Sequence, residues 1–69
     1  MHWNYRVFRM PWGTHEIRAS HYRRRNQKNP SMHAAAPSWP SGDSVEELRA
    51  DLERMLKALD KPIIEMKKP

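Results

Sequence analysis

The chain has no cysteine and only two glycines, Gly13 and Gly42. The first absence excludes disulfides and thiolate zinc sites and is consistent with a reducing compartment. The second excludes a glycine-rich phosphate loop. No apolar run is long enough for a signal peptide or a membrane span, so a cytoplasmic, membrane-free protein is expected. Acid is scarce in one half. Residues 1–42 hold seven Lys/Arg against one acid, Glu16, while residues 43–69 hold six Lys/Arg against seven acids. All four histidines also fall in the first part. An anionic partner would therefore meet the N-terminal part, although a small protein also carries charge simply to stay in solution.

Sixty-nine residues make one domain at most, with a thin core. With disulfides and thiolate metal sites excluded, oligomerisation is the stabilising device that stays open, and a homodimer is among the expectations. Catalysis finds little support. Ser20, Ser31, Ser38 and Ser41 lack a nucleophile-elbow setting, and Ser44 reads as a helix cap. A core this small hardly encloses a reaction cleft. His15 and His21 share strand parity but lie about 20 Å apart along an extended chain. Neither a catalytic residue, nor a metal site, nor a cofactor is expected; the histidines read as surface groups titrating near neutrality.

What is there divides into segments. Residues 3–9, WNYRVFR, alternate aromatic and β-branched residues with polar ones, the period of a strand. Pro11 and Gly13 mark a turn, and residues 14–22 read as a second strand, giving a β-hairpin over 3–22. Residues 23–30, RRRNQKNP, form a basic loop tip or frayed strand end, ended by Asn29-Pro30. Residues 31–36 can form a third strand, because Pro30 and Pro37 leave too little room for a helix. Residues 37–43, PSWPSGD, read as a linker. Residues 44–61 form a helix: Val45, Leu48, Leu52, Met55, Leu56 and Leu59 make one apolar stripe. Ser44 and Glu47 fit a capping box, and Pro62 stops the helix. Arg49–Glu53 and Glu53–Lys57 are i,i+4 pairs of opposite sign. Residues 62–69 are a tail in which Ile63–Glu65 can add an edge strand. The expected fold is α+β: a small three-stranded antiparallel sheet packed by one C-terminal helix, β-β-β-α. The stripe faces the Trp3/Tyr5/Val7 side, and the other side of the sheet stays open unless a partner covers it.

The candidate partner-binding residues follow from that scaffold. Arg18, Arg23, Arg24, Arg25 and Lys28 can neutralise phosphates or meet an acidic protein surface. Trp12, Tyr22 and Trp39 can stack on bases or anchor an interface. Short arginine runs also occur as plain solubilising loops.

The stretch PSGDSVEELRADLERMLKAL, with WNYRV before it, resembles the end of HicB-type antitoxin domains, which have a partial RNase-H-like scaffold of three strands and a helix. It also looks like a group of small bacterial and phage proteins that are acidic in the middle. The resemblance covers Trp3–Val7 and Ser41–Pro62. It implies a scaffold that acts by occlusion, with no catalytic residues to carry over. Three departures stand out: no further DNA-binding segment and no P-G-C-like turn lie within the 69 residues, and the middle is basic. The function expected is a non-enzymatic inhibitory protein that occludes a nucleic-acid-handling partner, an antitoxin-like antidote or a phage-encoded anti-defence (anti-CRISPR-type) inhibitor. The partner would be a protein or nucleoprotein complex with an acidic surface. The alternatives are a direct DNA or RNA binder using the basic loop, and a structural subunit of a larger assembly.

Overall fold

The computed structural model describes residues 2–67; the last two residues of the tail lie outside the described residues. Its elements are β1 (His2–Arg9), β2 (His15–Tyr22), β3 (Met32–His33), α1 (Val45–Ala58) and β4 (Ile64–Glu65). The alternation over residues 3–9 does form a strand, and β1 pairs antiparallel with β2 from His2 opposite Tyr22 to Arg9 opposite His15. The turn between them is closed by Gly13 N–H donating to the Met10 carbonyl at 2.9 Å. Gly13 has φ of +101°, a conformation that a Cβ would strain.

The sheet has four strands in the order β3-β2-β1-β4 and is mixed, which corrects the three-stranded antiparallel expectation. The addition comes from the tail: β4 pairs parallel with β1, Phe8 opposite Ile64. The helix ends at Ala58, before Pro62, and the chain then returns along the open edge of β1, where the Met66 amide donates to the Arg9 carbonyl at 2.9 Å. The third strand shrinks from six residues to two. The 31–38 segment still follows the β2 edge, through Ser31 N–H to His21 O, Ala34 N–H to Ala19 O and Ser38 N–H to Ile17 O. A regular ladder does not continue there, because Pro37 has no N–H to give.

The helix runs over Val45–Ala58, shorter at both ends than residues 44–61. Ser44 is the N-cap, its hydroxyl accepting from Glu47 N–H at 3.1 Å. The reciprocal half of the box is displaced by one residue: the Glu47 carboxylate accepts from Asp43 N–H at 2.8 Å. Gly42 sits so close to the first turn that a Cβ would come within 2.5 Å of Leu48 N.

The helix packs on the Tyr5/Val7 side, as expected, but through a different face. Met55 and Ala58 join Tyr5 and Val7 in the core, with Ile17 and Ala19 packed against them. Asp51 is buried beside them at 4 % exposure. Val45, Leu52, Leu56 and Leu59 are exposed. The expected stripe is therefore only partly core, and not every helix acid is on the solvent side. The reason is polar. Asp51 accepts a hydrogen bond from Tyr5 Oη at 2.6 Å and another from Ser41 N–H at 3.0 Å. Satisfying that buried carboxylate fixes the rotation of the helix about its axis, and hydrophobicity alone would have turned the leucines inward.

The second face of the sheet is not open. It carries Arg6, Phe8, Arg18, Ser20 and Tyr22, all buried. The 23–36 segment and the chain after the helix fold over it. Arg6 donates to the Lys28 and Pro62 carbonyls, and the His33 ring lies 4.9 Å from that of Phe8. One strand-rich ribbon thus curls around two arginines.

Candidate functional site

Arg6 is the centre of the basic end of the molecule. It is 5 % exposed, and no carboxylate pairs with it among the described residues. Its Nη1 donates to Tyr22 Oη and the Lys28 carbonyl, both at 3.0 Å, and its Nη2 to the Pro62 carbonyl at 2.7 Å. Its Nε has no partner among the described residues. A guanidinium buried among neutral acceptors, with no counter-charge beside it, sits in a poorly screened place.

The loop above it is built, not frayed. Gln27 organises it: Oε1 accepts from Arg23 N–H at 3.1 Å and Arg24 N–H at 3.2 Å, and Nε2 donates to the Asn29 carbonyl and Ser31 Oγ. With its backbone donors occupied, the turn projects Arg23, Arg24 and Arg25 into solvent around an open cleft that Asn26, Gln27 and Ser31 also line. That cleft continues into a smaller one of about 200 Å³, lined by His2, Trp3, Asn4, Arg6, Tyr22 and the shared Arg25 and Gln27. Past Trp3 and Asn4 lies a third, of about 230 Å³, where Tyr5 from the sheet meets Arg54, Lys57 and Lys61 from the helix side. The three share lining residues and form one track. Seven Lys/Arg side chains line it, and no Asp or Glu does, among the described residues. Trp3, 48 % exposed, stands between the second and third clefts with its ring edge-on to Tyr5 at 5.3 Å.

The sequence candidates divide on this surface. Arg23, Arg24 and Arg25 line the track. Lys28 is exposed beside it and contributes its carbonyl to Arg6. Arg18 and Tyr22 are both buried, and of the two only Tyr22 borders the track, at the smaller cleft. Arg18 is 8 % exposed, paired with Glu16 at 2.7 Å and bonded to the Ala34 carbonyl at 3.1 Å. Tyr22 is 6 % exposed and donates to Asn4 Oδ1 at 2.9 Å. Trp12 and Trp39 are strongly exposed but lie off the track, Trp12 at the far end of the hairpin. Trp3, Arg6, Arg54, Lys57 and Lys61 were missed. Trp3 and Arg6 read as ordinary strand residues, and Lys57 as one half of an i,i+4 pair along the helix. Only the fold brings the helix C-terminus beside the start of β1.

The helix ion pair that forms is Arg54–Asp51 at 3.3 Å; neither Arg49–Glu53 nor Glu53–Lys57 closes. The hydrogen bond to Asp51, after burial itself, pushes the Tyr5 hydroxyl up to about 12. The same bond, followed by Ser41 N–H, holds the Asp51 carboxyl below its ordinary value. No three His, Asp or Glu side chains come together to hold a metal ion, and no helix is long and apolar enough to cross a membrane, among the described residues. No family model, curated protein or solved structure matches the chain.

Proposed function

We propose that the protein is a non-enzymatic nucleic-acid-binding module that holds a single strand along the cationic track. What carries this reading is the acid-free run of seven Lys/Arg side chains from Arg23 to Lys61, interrupted by an exposed tryptophan. Phosphates release counterions when such cations neutralise them, and a base stacks on an indole face whatever its identity. Unlike a flexible arginine tail, this loop is ordered before binding, so less entropy is lost when it engages.

Fluorescence anisotropy with a labelled single-stranded oligonucleotide tests the proposal. The logarithm of affinity should fall linearly with the logarithm of salt, by about 0.7 for each phosphate neutralised. Replacing Arg23, Arg24 and Arg25 together by Gln should flatten that slope by about two to three phosphates' worth. Trp3→Ala should weaken binding by about 1–3 kcal/mol with the slope unchanged. Absence of salt-dependent binding at about 50 mM salt would refute it.

A second reading is favoured by Trp12 and Trp39, 70 % and 83 % exposed and outside the track. On it, the protein occludes a nucleic-acid-handling partner with an acidic surface, as an antitoxin-like antidote or an anti-defence inhibitor. Exposed tryptophans are common interface anchors. The two readings separate cleanly. An occluding protein inhibits its partner's cleavage with no nucleic-acid affinity of its own, and Trp12→Ala or Trp39→Ala relieves the inhibition.

A further inference from the structure

Val45, Leu52, Leu56 and Leu59 are 69, 47, 65 and 61 % exposed. At 3.6 residues per turn they fall within an arc of about 60°. The core-facing residues Asp51, Met55 and Ala58 lie roughly 100° round the helix from that arc. Arg54 and Lys57, which line the cationic track, lie on the opposite flank of the core-facing side. The helix therefore carries two separate exposed surfaces, one cationic and one aliphatic. A contiguous apolar stripe about 20 Å long is more than scattered surface leucine.

We propose that this stripe is a self-association surface: two copies pair through it, their helices antiparallel and crossing level with residue 54. Three observations choose a second copy. First, the stripe is self-complementary in that register. Leu52 of each copy lies opposite Leu56 of the other, and half-buried Leu48 comes within one residue of Leu59, the arrangement a twofold axis requires. Second, charge favours it. Arg49 of each copy comes within one residue of Asp60 of the other, so the symmetry makes two identical ion pairs. Antiparallel pairing also opposes the helix dipoles, whereas parallel pairing sets like ends side by side. Third, among the described residues the monomer buries seven hydrophobic ones, few for a chain with no disulfide. Pairing leaves both cationic tracks uncovered, so the inference stands apart from nucleic-acid binding.

Sedimentation equilibrium on the full chain, from micromolar to millimolar protein, is the test. The mass should rise from 8.3 kDa towards twice that value. Leu56→Glu should raise the dimer dissociation constant by about a hundredfold or more. Because Leu56 points into solvent within one copy, its helical circular dichroism should not change. Arg49→Asp should weaken pairing by about tenfold, and adding Asp60→Arg should restore it. A monomer at every concentration overturns the proposal. So does a dimer indifferent to Leu56→Glu, or an Arg49→Asp defect that the second exchange fails to repair.

Discussion

The Tyr5 hydroxyl donates to the Asp51 carboxylate at 2.6 Å, joining the central strand to the middle of the helix inside the core. The same carboxylate takes Ser41 N–H at 3.0 Å, so one buried anion ties strand, helix and linker together. Tyr5→Phe removes this hydroxyl donor and leaves Asp51 short of a partner. The expected loss is about 1–3 kcal/mol, read as a lower urea midpoint with an unchanged slope. Asp51→Leu removes the carboxylate altogether; it should also strip Ser41 N–H of its acceptor and loosen the linker in hydrogen exchange.

The pair also sets the pH limits of stability. Asp51 is held below its ordinary value, so its contribution is complete above about pH 4 and declines as the solution becomes more acidic. Tyr5 is pushed up, from 10.0 to about 12. Its contribution is complete below pH 10.0 and is lost as pH rises towards 12, because the unfolded chain ionises first. Urea midpoints across both ranges should show an acid and an alkaline decline. Tyr5→Phe should abolish the alkaline component and reduce the acid one.

Gly42 faces the helix start at a distance that admits no side chain, since the obstructing atoms belong to the Glu47–Leu48 backbone. Gly42→Ala must shift the linker or the first helical turn. A cost of about 1–3 kcal/mol is expected, read by thermal unfolding, with loss of protection at the Glu47 amide. Gly13→Ala meets open space, and its smaller cost should come from the +101° φ alone.

Gln27 is a lever on the basic loop. Gln27→Ala frees the Arg23 and Arg24 amides, which lie at the surface and can turn to water. Global stability should change by less than about 1 kcal/mol. The Arg23 and Arg24 amides should exchange faster, and affinity for a single strand should fall with the salt slope unchanged, because the charges stay while their order is lost.

Arg6→Lys keeps the buried charge but replaces a planar fork by one point donor. A single ammonium cannot serve Tyr22 Oη and the Lys28 and Pro62 carbonyls at their present places. A loss of about 2–4 kcal/mol in chemical denaturation is expected.

Much of the scaffold was legible because its signals are local. The period-two run from Trp3 to Arg9 forms β1, the Pro11–Gly13 turn closes the hairpin, and Ser44 caps the helix where the S-x-x-E spacing places it. Of the candidate site, Arg23, Arg24 and Arg25 were legible as a run of charge. Trp3, Arg54, Lys57 and Lys61 were not, because nothing in their own segments distinguishes them from strand and helix residues.

By itself, the sequence determined an α+β chain with a β-hairpin, a capped helix and an excess of positive charge before residue 43. Those features depend on dihedral preference, periodicity and composition, which neighbouring residues decide. Tertiary structure decided the rest: which helix face turns inward, that the tail adds a parallel strand, that Arg18 is buried against Glu16 while Trp3 stays exposed. These depend on which distant groups can satisfy a buried carboxylate and a buried guanidinium. A polar group out of reach of water must find its partner wherever the chain brings one, and no local pattern records where that is.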